Sequence, residues 1–233
     1  SYRAAPADTN VASKYLAVYS KTKTAYIQFY GRAKASESQR TNETEMLLDP
    51  AESLDEQLLV VGSAELPDSG PIEKDVWETT ERYWDQVTSQ VAPTLVQIAA
   101  DGPRPSRYPM DLRRGFAADA SHLAQLRTLA RELYVDTIHW SVMGDSRKAQ
   151  DATLALLPLQ DSLADEPLLI SQFVRIAILA IGIESLECVV NRATLTDDDL
   201  QRLQERFGQA LPPLKDGRIL DVAMRGECAM GIA

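Results

Sequence analysis

The sequence predicts an all-α fold, an irregular antiparallel bundle of six to eight helices. Three observations predict it. Apolar residues recur at three- and four-residue steps over long stretches. Helix starts and stops punctuate those stretches at short intervals. The segment from Glu166 to Val190 is apolar around almost its whole circumference, with only Ser171, Gln172 and Arg175 clearly polar between Leu168 and Ile183. A helix apolar on every side is normally enclosed by other helices or by lipid. Arg175 within it argues against lipid, because a span needs about 20 largely apolar residues. The segment is therefore expected to be a central helix, buried all round.

The elements follow in order. Asn10 is placed to cap a helix to about Ser20, with Val11, Tyr15, Leu16 and Tyr19 on one side. Residues 23–30 read equally as strand or as continuing helix, and the polar residues 31–45 read as loop. Ser53 to Glu56 fits a capping box before Leu58 to Val61, giving a short helix over 53–61, with a strand as the alternative. Gly70, Pro71 and Glu73 form a helix start. Ile72, Val76, Trp84, Val87, Val91, Leu95 and Ile98 continue one apolar face, with a kink expected at Pro93. Trp77 and Trp84 share a face of that helix, for core packing or for an aromatic partner-binding surface.

Residues 102–118 hold three prolines and two glycines and break regular structure. They are the one place where the single domain, 1–233, could divide into N-terminal helices (1–101) and a helical core (119–233). A third helix is expected from Ala118 to Met143, with Leu123, Leu126, Ala130, Leu133, Tyr134 and Ile138 inward. A fourth runs from Ser146 to Leu163, bent at Pro158, and the apolar helix is fifth. Thr196 to Asp199 caps a sixth, with Leu200, Leu203 and Phe207 inward and Gly208 closing. A last helix is expected over 216–229. The turn from Gly144 to Ala149 resembles that of a tetratricopeptide repeat, although no 34-residue period accompanies it.

Two blocks carry a family resemblance: Pro109 to Phe116 followed by His122 to Tyr134, and Gly144 to Glu187. They resemble a group of uncharacterised helical proteins of planctomycete and related bacteria, in which an N-terminal membrane segment precedes a helical extracytoplasmic region. The resemblance covers residues 109–190. It implies a helical fold and a cell-envelope location, and it brings no activity with it. The sequence begins at Ser1, not Met, so any signal peptide or anchor would lie upstream of it. No membrane span is expected within these residues.

Charge and motifs narrow the function. The 233 residues include 34 acidic and 24 basic side chains, a formal net charge of −10. That balance opposes binding to nucleic acid or anionic lipid. His122 and His139 lie about 260° apart around one helix, too far to share a metal, and are read as surface or half-buried. No HExxH, phosphate loop or G-x-S-x-G occurs. No cofactor or metal is expected. Asp197 to Asp199 lack the glycine and distal Glu of a calcium loop. Cys188 and Cys228 read as buried thiols. Glu184 and Glu187 mark the point where the apolar helix meets water, an acid/base pair being the alternative.

Two polar groups remain as candidates for a binding or structural cluster. Gln172 and Arg175 share a face of the most apolar helix, and a buried Arg is costly unless paired. Asp111, Arg113 and Arg114 sit in the Pro-rich segment. Pairing of Asp111 with Arg175 would pin that segment over the fifth helix. The sequence thus supports a non-catalytic helical interaction or scaffolding module of an envelope protein, with a protein partner. The alternative is an enzyme or binder of a small anionic ligand centred on Arg175.

Overall fold

The computed structural model describes residues 10–40 (side chains to 32), 56–102, 105–111, 114, 118–210, 221, 224 and 228. Among these there are six helices and no strand, only an isolated bridge between Leu59 and Ala64. Helix α1 is Val11–Arg40. Helix α2 is one continuous run of three pieces: Lys74–Tyr83, a π-helical turn at Trp84–Thr88, and Ser89–Ala100. Then follow α3 (Ser121–Met143), α4 (Ser146–Asp161), α5 (Leu169–Arg192) and α6 (Asp197–Ala210). No helix among the described residues is long and apolar enough to cross a membrane.

The helix caps form as chemistry requires. Asn10 Oδ1 accepts from the backbone N–H of Ala12 (3.2 Å) and also of Arg107 (2.9 Å), tying the start of α1 to the Pro-rich segment. Gly144 closes α3 at φ +79°, a left-handed conformation that favours glycine. Asp145 caps α4 through Lys148 N. Thr196 and Asp199 form a reciprocal box: Thr196 Oγ1 accepts from Asp199 N, and Asp199 accepts from Thr196 N. These bonds to the carboxylate hold Asp199 down at about 2.

Several expectations are corrected. Residues 31–40 are helical, not loop, because after Gly31 no glycine or proline interrupts good helix formers. Residues 23–30 are likewise helix. Glu56 is helical, but residues 57–61 form neither the short helix nor the strand. Leu58 and Leu59 are instead buried in an irregular segment, with Leu59 N donating to Thr80 Oγ1; Ser53 to Asp55 lie outside the described residues. Helix α2 begins at Lys74, three residues after Pro71. It runs on through Pro93, and its irregular turn lies upstream at Trp84–Thr88. Leu200 faces solvent, and α6 continues past Gly208 to Ala210. Both histidines are buried; Cys188 is buried but Cys228 is exposed. The expected 216–229 helix lies outside the described residues except for Asp221, Met224 and Cys228, which are helical and exposed.

Side-chain contacts give the packing directions. Thr153 meets Ser185 and Gln160 meets Arg175, so α4 and α5 are antiparallel. His122 meets Glu166, and Thr137 meets Ser185, so α3 and α5 are parallel. Thr88 meets Glu132, Trp84 meets Asp136 and Trp77 meets His139, so α2 and α3 are antiparallel. One apolar cluster draws on α1 to α5, including Tyr15, Leu95, Leu126, Leu133, Leu156 and Ile178. The most enclosed helix is α3, where Leu126, Leu129, Ala130, Val135 and Ile138 are wholly buried.

Gly182 of α5 faces Leu156 of α4 and Phe207 of α6. A methyl group there would meet Leu156 Cβ and Phe207 Cε1 at 3.7 Å, an ordinary contact. Gly182→Ala should therefore raise stability by roughly 0.5–1 kcal/mol through helix propensity. Denaturant unfolding of the variant measures this.

Candidate partner-binding face on α5

Helix α5 buries both polar and apolar residues and leaves a row of large apolar ones outside. Ser171, Gln172, Arg175 and Ser185 are buried beside Val174, Ile178, Leu179 and Val189. Ile170 and Phe173 are 52% exposed, Val190 50%, Ile183 40% and Ile176 39%. The expectation of a helix sheathed on all sides by its own chain is overturned. Two sides are covered, by α3 and by α4 with Phe207 of α6. Among the described residues nothing encloses the third, outer side, whose large apolar residues stay exposed.

The inward side is fixed by hydrogen bonds to the turn between α4 and α5. Gln172 Nε2 donates to the carbonyls of Leu163 (3.1 Å) and Glu166 (2.8 Å). Arg175 Nε donates to Gln160 Oε1 (2.8 Å), and its terminal nitrogen pairs with Asp161 Oδ1 at 3.0 Å. Ser171 Oγ donates to the Glu166 carboxylate at 2.5 Å. On that carboxylate His122 Nε2 also rests, 2.9 Å from Oε1. The ring of Tyr108 stacks on His122, and its hydroxyl lies 2.8 Å from Ser162 Oγ. Farther along, the hydroxyls of Thr137, Thr153 and Ser185 meet within 2.8–3.1 Å where α3, α4 and α5 cross.

Among the sequence candidates, Gln172 and Arg175 thus act together, as a clasp on the α4–α5 turn. The expected Asp111–Arg175 pair does not form, because Gln160 and Asp161 sit directly opposite Arg175 on the antiparallel α4. Asp111 is exposed, and its carbonyl accepts from Arg114 N at 3.2 Å. Arg114 is exposed, and Arg113 lies outside the described residues. Trp77 and Trp84 both stack on His139, with ring centroids 6.1 and 3.5 Å away.

The buried Ser171, Glu166 and His122 do not make a hydrolytic triad. There the imidazole stands between serine and acid. Here the carboxylate stands between serine and imidazole, so Ser171 has no histidine to take its proton. Among the described residues, no group of three or more His, Cys, Asp and Glu side chains could hold a metal ion.

The outer side of α5 has regular geometry. Leu169, Phe173, Ile176, Ala180, Ile183, Glu187 and Val190 follow at alternating four- and three-residue steps, the spacing of a coiled-coil seam. At its C-terminal end the seam runs into a cleft of about 360 Å³ between α5 and the segment 60–68. Glu65, Asp68, Glu184 and Glu187 line this cleft, with Arg192. None of the four carboxylates enters an ion pair among the described residues. Arg192 is engaged by the carbonyls of Gly70 and Pro67. The seam's apolar positions were all visible in the sequence. Their outward direction was not, because it depends on which helix faces α5 meets.

A second polar feature was missed in the sequence. Glu132 of α3 is fully buried and accepts from Tyr83 Oη and Thr88 Oγ1, both at 2.6 Å. Thr88 belongs to the π turn, a kind of distortion frequent at functional sites. One turn on, Asp136 accepts from the indole nitrogens of Trp84 (2.8 Å) and Trp140 (3.0 Å). The signal was two acids four residues apart within an otherwise apolar helix face. Burial pushes Glu132 up from 4.5 to about 7 and Asp136 from 3.8 to about 6, partly offset by those hydrogen bonds. Both oxygens of Glu132 are taken by hydroxyls and neither reaches solvent, so the pair reads as packing chemistry.

Both carboxyls hold their protons more tightly folded than unfolded. Their stabilisation is complete below the unfolded values and is lost as pH rises through about 6 to 7. Stability should thus fall between pH 5 and pH 8, with Glu132 accounting for about 3 kcal/mol. Glu132→Gln should flatten that slope in thermal melts across this range.

Comparisons with protein-family models, with curated proteins and with solved structures gave no match, so the outer seam of α5 stands on its own geometry.

Proposed function

We propose that this chain is a non-catalytic interaction module that docks a helical partner on the outer seam of α5. The observation that carries the reading is the apolar outer face of that helix: Ile170, Phe173, Ile176 and Ile183 stay exposed to water while Gln172 and Arg175 are buried. Contiguous apolar surface of this kind, rimmed by charge, is characteristic of association surfaces. These side chains are already about half buried, so covering what remains of each is worth about 1 kcal/mol, and the row together supplies much of the driving force for a modest complex. The engagement of Arg175 by Gln160 and Asp161 supports this reading over an anion pocket. The α3–α4 hairpin, with its tetratricopeptide-like turn, is a rigid platform of the type that helical scaffolds use to present a neighbouring helix. Resemblance to anchored extracytoplasmic proteins supports a setting in the cell envelope.

A photo-crosslinking amino acid tests the reading in the native cell. Placed at Ile176 or Ile183, it should capture a discrete partner. Placed at Gln201, on the polar face of α6, it should not. Equal capture at all three positions, or none on the seam, contradicts the proposal.

A further inference from the structure

We infer that the partner is a cationic amphipathic helix of about 20 residues, with its basic side chains gathered at the end that crosses Glu184 and Glu187. The inference rests on the docking reading above and adds the partner's chemistry. From Leu169 to Val190 the seam spans 21 residue steps, close to 30 Å of helix at 1.5 Å per residue. A partner of three heptads matches that length.

Charge selects the partner. The seam is apolar from Leu169 to Ile183. Beyond that it carries Glu184 and Glu187 at the mouth of the cleft that Glu65 and Asp68 also line. Four carboxylates meet there against Arg192, whose guanidinium already serves the carbonyls of Gly70 and Pro67. Burial, followed by the neighbouring Cys188, Glu184 and Glu187, pushes the Tyr134 hydroxyl on the cleft wall upward. A lysine or arginine entering from a partner supplies the missing counter-charge, and its aliphatic stem lies along Leu66 and Val60.

The same charges oppose a second copy of this chain. Parallel pairing of two α5 helices sets Glu184 and Glu187 against their counterparts. Antiparallel pairing sets Glu187 beside Phe173, which leaves the cleft carboxylates without cations. Each copy also carries a formal net charge of −10.

A displayed library of 21-residue peptides provides the test. The peptides have leucine or isoleucine at heptad positions and random residues elsewhere. The library is selected on the intact protein and counter-selected on the Phe173→Asp/Ile183→Asp variant, after its melting curve is shown to match wild type. The expected winners carry clustered Lys or Arg near one end. Anisotropy titration of a synthetic winner should show at least a tenfold weaker complex with Glu184→Lys/Glu187→Lys, and the difference should shrink in high salt. Winners with no basic bias, or a charge-reversed variant within twofold of wild type, overturn the cationic assignment and leave docking intact. Peptides indifferent to Phe173→Asp/Ile183→Asp, or no winner at all, overturn docking as well. A wild-type dimer in light scattering that those two substitutions dissolve makes a second copy the occupant and overturns the inference.

Discussion

The rotation of α5 about its own axis is the constraint on which the rest depends. Turning the helix by half a revolution would bury Phe173, Ile176 and Ile183. It would also strip Gln172 from the carbonyls of Leu163 and Glu166, Arg175 from Gln160, and Ser185 from Thr137 and Thr153. Each buried group left without its partner costs about 1–3 kcal/mol. The inward line also includes the small residues Gly182 and Ser185, which face α4 and α3. Phenylalanine or isoleucine there would overfill the contact. Polar bonding and volume thus select the same orientation, and the apolar seam faces out as the remainder.

The α4–α5 turn gains from the same bonds. Residues 162–168 carry backbone groups that no helix satisfies. Gln172 supplies donors to two of them, while Glu166 gathers Ser171 and His122. His122 is held in turn by the Tyr108 ring, which belongs to the segment that Asn10 fastens to α1. The start of α1 and the α4–α5 turn are therefore joined through one connected polar set. That rigidity suits a surface meant to present a fixed seam.

Much of the fold was legible from local chemistry. Asn10, Gly144 and the Thr196–Asp199 box act through atoms only a few residues apart, so sequence alone locates them. The inward positions of α3 were equally clear, because its apolar spacing has one solution. Three things were not legible. The extension of α1 through residues 31–40 looks polar and so reads as loop, yet nothing there stops a helix. Leu58 and Leu59 are buried without regular structure because Thr80 meets a backbone group that a ladder would otherwise satisfy. The faces of α5 could not be assigned because Arg175 was matched with Asp111 in the Pro-rich segment. Its real partners, Gln160 and Asp161, are fixed by antiparallel packing against α4.

Thiol accessibility along α5 tests the account most directly. Single cysteines are placed at Phe173, Ile176 and Ile183, and at Val174 and Ile178, in a Cys228→Ser background. In native protein a maleimide should react at 173, 176 and 183 as fast as with a free thiol, and at 174 and 178 only on unfolding. Protection at 173, 176 and 183 together with reaction at 178 would contradict the orientation of α5 and the docking seam with it.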